Sequence, residues 1–238
     1  MNVRIKFAKY GSLVFIGHLD VMRFFQKAMR RAGIPISYTG GYSPHQIMSF
    51  AQPLGLGMSS EGEYVDIQVH DTYSSDESVR RLNQVMTDGL KILSYRVLPE
   101  KAKGGMSVIK AADYMLWIDG RKPFPAEAQT LWNDFLSRSE IPATKESKKG
   151  ETTIDLKPHI LDSKMEEDRL YLRVSTGSEI NIKPDLVFRT FFAACGDAFP
   201  DPGNRLRIHR IELYADDGNG GFISLEDMAE PIPEGSLS

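Results

Sequence analysis

Cysteine is nearly absent: Cys195 is the only one in 238 residues. That excludes an intramolecular disulfide framework and any four-cysteine zinc or iron–sulfur site. It lies in Phe191-Phe192-Ala193-Ala194-Cys195, where a thiol reads as a small buried hydrophobe. No apolar run approaches the ~20 residues needed to cross a bilayer. From residue 2 the chain alternates charged and apolar side chains, unlike a secretory leader, so a cytoplasmic protein without a membrane partner is expected. There is no Walker loop, no GxGxxG opening a helix, and no HExxH or HxH. His18, Asp20, His45 and Glu63 could supply nitrogen and oxygen ligands, but their spacing matches no metal motif. The expectation is therefore no metal and no cofactor.

What is present is ordinary globular material, 41% apolar and 26% charged. This length suits two units of roughly 100 residues each. The net charge is −3, but its distribution is uneven. Residues 1–60 hold Arg4, Lys6, Lys9, Arg23, Lys27, Arg30 and Arg31 against one acid, Asp20, giving +6 and leaving −9 for the rest. A basic end on an acidic protein suits an anionic partner docking there.

Val3, Ile5 and Phe7 alternate with Arg4 and Lys6, which predicts a half-buried strand over 2–8. A helix is predicted over 18–32, with Gly33 ending it and Leu19, Met22, Phe25, Met29 and Ala32 facing inward. Residues 35–50 read as a strand, 51–60 as a loop, and 64–69 as a third strand. Ser74 and Glu77 offer a capping box for a second helix, and 90–98 completes β-α-β-β-α-β. After a linker at 101–112 the pattern recurs. Strands are predicted at 114–118, 152–156, 160–165, 169–175 and 206–214, with a helix striped by Phe124, Ala128, Leu131 and Phe135 and another over 184–195. The fold class expected is α+β, two tandem ferredoxin-like halves with antiparallel sheets and helices on one face. The first domain spans 1–100, the second spans 113–226 with an extra hairpin strand, and 227–238 forms a flexible tail.

Two places concentrate chemistry. His18 and Asp20 open the first helix just after Gly17, where free backbone N–H groups and the positive dipole end attract an anion. Gly40-Gly41-Tyr42-Ser43-Pro44-His45 forms a loop that brings backbone, a stacking ring and an imidazole together. His45, His18 and Asp20 are the catalytic candidates. Lys9, Arg23, Lys27, Arg30, Arg31, Tyr42, Ser43, Ser49, Glu63 and Tyr64 are the substrate-binding candidates. If the third strand runs antiparallel beside the first, Lys9, His18, Asp20 and Glu63 gather at one rim, and the Tyr42–His45 turn is expected to fold back beside them.

At these residues the chain resembles a bacterial family of uncharacterised function, the radical-SAM-linked proteins. The likeness is carried by Phe7-Ala8-Lys9-Tyr10-Gly11, Phe15-Ile16-Gly17-His18-Leu19-Asp20, Arg30-Arg31-Ala32-Gly33, Pro44-His45 and Ser49-Phe50-Ala51-Gln52-Pro53-Leu54. Gly17 stands where serine is usual. Family members stand alone or form the C-terminal part of a radical S-adenosylmethionine protein, and no CxxxCxxC motif occurs here, so the resemblance implies a radical SAM enzyme on a separate chain as partner. A second, architectural resemblance is to CRISPR repeat-processing endoribonucleases, although their C-terminal glycine-rich loop is missing.

The leading functional expectation is an accessory protein that binds or presents an anionic substrate, RNA above all, to that partner. Arg23, Lys27, Arg30 and Arg31 would meet phosphates, and Tyr42 and His45 would meet a base. The alternatives are a stand-alone RNA-cleaving or transfer enzyme with His45 as general acid/base, and a protein–protein assembly module.

Overall fold

A computed structural model describes residues 1–120, 123–147, 150–199 and 201–235, with backbone alone at 146 and 147. The chain is a mixed α/β protein with a large, mostly antiparallel sheet and few helices. It divides into two compact units, Met1–Lys110 with Glu212–Ser238, and Ala111–Ile211.

In chain order the first unit runs β1 (Asn2–Lys9), α1 (His18–Ala32), β2 (Met48–Ala51), β3 (Ser59–Gln68), α2 (Ser75–Asn83), β4 (Leu90–Val97) and the short turn α3 (Gly105–Val108). The second carries β5 (Ile109–Ile118), α4 (Ala128–Ser137), β6 (Pro142–Ser147), β7 (Gly150–Asp155), β8 (Ile160–Met165), β9 (Arg169–Ser175) and α5 (Pro184–Cys195). Then come β10 (Leu206–Asp216), β11 (Phe222–Ser224) and β12 (Glu230–Pro231).

Within the first unit, β4, β1, β3 and β2 lie side by side, each antiparallel to its neighbour. Side chains alternate across a strand, so this register sorts them onto two faces. Val3, Ile5 and Phe7 stand opposite Ile67, Val65 and Glu63 on the face covered by helices. Phe25 and Met29 of α1 and Leu82 of α2 pack on that face in one apolar core. Burying a side chain of this size contributes roughly 1.5–3 kcal/mol.

The opposite face is polar and equally closed. Arg4, 1% exposed, makes a two-pronged pair with Asp66 at 2.8 and 2.9 Å and donates to the Leu225 carbonyl at 3.1 Å. Lys6 reaches Glu212 at 2.7 Å and Glu226 at 3.0 Å, and Arg96 meets Glu226 at 3.2 Å. Gly105 donates its N–H to Asp66 at 2.7 Å. A Cβ there would meet the Ala51 side chain at 2.9 Å, so only glycine fits.

Several expectations change. The strand predicted over 35–50 shortens to β2, because Gly40, Gly41 and Pro44 interrupt pairing and leave isolated bridges at Ile36–Val69 and Tyr38–Gln46. β3 starts at Ser59, inside the predicted loop. Leu19 is 60% exposed, and Val21 and Ala28 take inward places on α1. In α4 the rings of Trp132 and Phe135 are buried, and Trp132 takes the place of Leu131 in the predicted stripe. Cys195 is only half-buried. Ser74 caps α2 by accepting from the Glu77 N–H at 3.3 Å, but the Glu77 carboxylate turns outward to Arg80 and Arg81 and does not close the box.

Two segments differ from the predicted domain limits. Residues 109–112, inside the predicted linker, already belong to β5. The chain after Glu226 includes β12, paired with Val97 and Arg96 of β4, and Ile232 exchanges hydrogen bonds with Ser75 at 2.8 and 2.9 Å. Of the predicted tail, 236–238 lie outside the described residues.

The second unit orders its strands β5-β9-β8, all antiparallel, with β6 and β7 as a separate hairpin. Its core is aromatic: Trp132, Phe135, Phe188, Phe191 and Phe199 are 2% exposed or less.

Candidate functional site

The amino end of α1 opens onto a cleft of about 240 Å³, mouth included, lined by Phe7, Lys9, His18, Val21, Phe50, Pro53, Leu54 and Glu63. These come from β1, the start of α1, β2 with the turn behind it, and β3. Four sequence segments therefore meet at one place.

Local backbone explains the convergence. At Phe7 the register slips on both sides: between Phe7 and Lys9 against β3, and between Lys6 and Phe7 against β4. Each slip places an extra residue on the neighbouring strand, a bulge that re-aims nearby side chains. On β3 the irregularity is held by Ser60, whose hydroxyl accepts from the Gly62 N–H at 2.8 Å. Behind β2, Gln52 has φ 47°, the only positive value at a non-glycine position among the described residues. That conformation is uncommon for a side-chain-bearing residue, and it turns Pro53 and Leu54 into the cleft.

The walls are apolar and the polar groups few. His18 packs edge-on against Phe50 at 5.1 Å between ring centres, and Phe50 packs against Phe25 at 5.5 Å. Lys9 and Glu63 are charged residues only 3% and 4% exposed. Burial, and then the positive charge of Lys9, push the His18 pKa below its ordinary value. Its imidazole is therefore neutral near pH 7, with one ring nitrogen able to accept a proton. Gly17, extended at φ −70° and ψ 156°, brings no side-chain cap to the helix start, although its carbonyl accepts from Asp20 and Val21 at 3.1 and 3.2 Å. A serine here would supply the missing cap.

The structure thus brings together Lys9, His18 and Glu63 of the predicted rim. Asp20 turns to solvent and pairs with Arg23 at 3.2 Å, both side chains about two-thirds exposed. Lys27, Arg30 and Arg31 are exposed along the same helix, so four cations follow α1 away from the cleft.

His45 does not line the cleft. It is exposed and closes its own loop: Nδ1 lies 3.1 Å from Thr39 Oγ1, which also accepts from the His45 N–H at 3.1 Å. Tyr42 is fully exposed and Ser43 exposed at the tip of that loop. Ser49 is exposed on β2, in register with Asp66. Tyr64 is fully buried on the polar face, opposite Lys6, while its neighbour Glu63 faces the cleft. Burial, and then the charge of Glu212, raise the Tyr64 phenol far above its ordinary pKa. Adjacent strand positions point to opposite faces, so Glu63 and Tyr64 do not share one site.

The cleft walls Phe7, Phe50, Pro53 and Leu54 were not among the predicted site residues. Their signal was present, because each belongs to one of the motifs quoted for the family resemblance.

A family model described as an uncharacterised protein conserved in bacteria, DUF2344, matches residues 2–184. No curated protein matches the chain. The matched stretch contains every residue of the cleft, and the chain belongs to that uncharacterised bacterial family.

Proposed function

We propose that this member of the family is an accessory protein that binds an anionic substrate, RNA, and presents it to a radical SAM enzyme on a separate chain. One observation carries the reading: the cleft with Lys9 and His18 lies at the positive end of α1, and exposed Arg23, Lys27, Arg30 and Arg31 continue from it along the same helix. A phosphate at the mouth would meet the Lys9 ammonium and the uncapped helix amides. The following phosphates would meet the cation row. Tyr42 and Ser43, on an exposed loop, are free to contact a base. The motifs around Phe15–Asp20, Arg30–Gly33 and Pro44-His45 support the radical SAM partner.

The same reading takes both halves as ferredoxin-like. In the first unit it draws support from the antiparallel order β4-β1-β3-β2. The likeness to CRISPR repeat-processing endoribonucleases remains one of architecture, and architecture does not transfer function. Titration of labelled RNA against the wild type and an Arg30→Ala/Arg31→Ala variant tests the proposal. Weaker binding by the variant is expected, and equal binding contradicts it.

A second reading is favoured by the neutral imidazole of His18. In a stand-alone RNA-cleaving or transfer enzyme, His18 rather than His45 would take the proton of the attacking hydroxyl, and Lys9 would face the charge developing on phosphate. Incubation of RNA with wild type, His18→Ala and His45→Ala decides it. Products lost only with His18→Ala support the enzyme, and identical patterns from all three remove it.

A further inference from the structure

The exposed aromatic side chains are unevenly placed. Among the described residues, the exposed large aromatics are Tyr10, Phe15, Tyr38, Tyr42 and Phe222, so four of five fall in the first 42 residues, alongside the cations of α1. Phe15 is 74% exposed, Tyr10 45% and Tyr38 49%. Large exposed rings on the same stretch of chain as the cation row offer faces on which bases can stack.

These rings sit on held segments. The 3-10 turn Gly11–Phe15 is fixed at both ends, since Tyr10 donates its N–H to the Gly89 carbonyl at 2.9 Å and Gly57 donates to the Val14 carbonyl at 2.8 Å. Gly89 has φ +90°, and a Cβ there would meet the Tyr10 carbonyl at 2.6 Å, so this anchor requires glycine. Tyr38 is fixed differently. Gln46 Nε2 donates to the Tyr38 hydroxyl at 3.3 Å and to the Gln26 carbonyl at 3.1 Å. That places the Tyr38 hydroxyl close to α1 at Gln26. Rings thus stand near both the amino end and the middle of a helix ~22 Å long.

We propose that the ligand of this surface is single-stranded RNA, with one base stacked on Phe15 or Tyr10, another on Tyr38, and the phosphates between them on Arg23 and Lys27. This rests on the RNA reading above and narrows it. A duplex keeps its bases stacked inside and offers phosphates and ribose hydroxyls, which the cation row alone would engage. Exposed rings interleaved with cations fit a strand whose bases are free, because every base has a face to stack. Pre-fixed rings also lower the ordering cost of binding.

Fluorescence anisotropy with a labelled single-stranded RNA, and with the duplex formed by its complement, tests this. Single strands should bind about tenfold more tightly than the duplex, and Phe15→Leu and Tyr38→Leu should each weaken single-strand binding roughly fivefold while leaving the duplex unchanged. Both side chains are exposed, so unchanged melting of the variants separates stacking from folding. Equal binding of strand and duplex, indifferent to both variants, overturns the inference but leaves the RNA reading standing. Binding of neither form removes both and leaves the aromatic surface to a protein partner.

Discussion

The Tyr64 hydroxyl donates to Glu212 Oε1 at 2.6 Å, joining strands 148 residues apart in sequence. Glu212 also accepts from Lys6, and Lys6 also meets Glu226. The returning end of the chain is thereby locked onto the polar face of β1 and β3, while the opposite face holds the apolar core and the cleft. Replacing Lys6 leaves two largely buried carboxylates without their shared cation. Lys6→Met should destabilise the fold by about 3–5 kcal/mol, read from urea unfolding. A loss below about 1 kcal/mol would mean that the pair is solvated.

The same cluster sets an alkaline limit. Burial works against the charge on Lys6, but its hydrogen bonds and attraction to Glu212 and Glu226 outweigh that and raise its pKa above the ordinary value. The Tyr64 phenol is raised as well. In both, the folded state holds its proton more tightly than the unfolded one. Their contribution is complete below the unfolded values, near pH 10, and declines as pH climbs toward the folded ones. Stability should therefore fall as pH rises above about 10, and Glu212→Gln should flatten that fall. An unchanged slope in the variant would exclude Glu212 as the cause.

His18 acts in the opposite direction. Its folded pKa is lowered, so between the folded and unfolded values the unfolded chain binds more protons. The contribution is complete above about pH 6.5 and is lost as pH falls through the folded value. His18→Gln should remove this part of the acid-side slope. Proton NMR of the imidazole checks it directly, with a midpoint below the ordinary histidine value of about 6.5 expected.

Close packing at Gly105 gives a local test. Gly105→Ala forces a Cβ against Ala51, with Arg4 and Asp66 each at 3.4 Å, and should cost about 1–3 kcal/mol. Gly104→Ala meets only Asp66 at 3.9 Å and should be tolerated. Equal melting temperatures for the two variants would show that the α3 turn yields.

Local patterns made much of the first unit legible. Val3, Ile5 and Phe7 alternate into a strand, and Gly33 ends α1 in the left-handed conformation with φ 68°. The gathering of Lys9, His18 and Glu63 followed from antiparallel pairing of β1 with β3. Other features depend on partners remote in sequence. Arg4 and Lys6 read as solvent-facing positions of a half-buried strand, because Asp66, Glu212 and Glu226 lie 62 to 220 residues away. The pairing of Glu230-Pro231 with β4 left no local pattern in a segment rich in proline and serine. Leu19 satisfied the helical stripe yet faces solvent, since periodicity near a helix end does not fix which side the neighbouring strands cover.

The salt dependence of single-stranded RNA binding tests the central claim most directly. Three to four phosphates held by Arg23, Lys27, Arg30 and Arg31 predict a slope of log affinity against log salt of roughly −2 to −3. Arg30→Ala/Arg31→Ala should reduce its magnitude by about 1.4. Absence of binding at low salt, or a slope unmoved by that double substitution, would contradict the account.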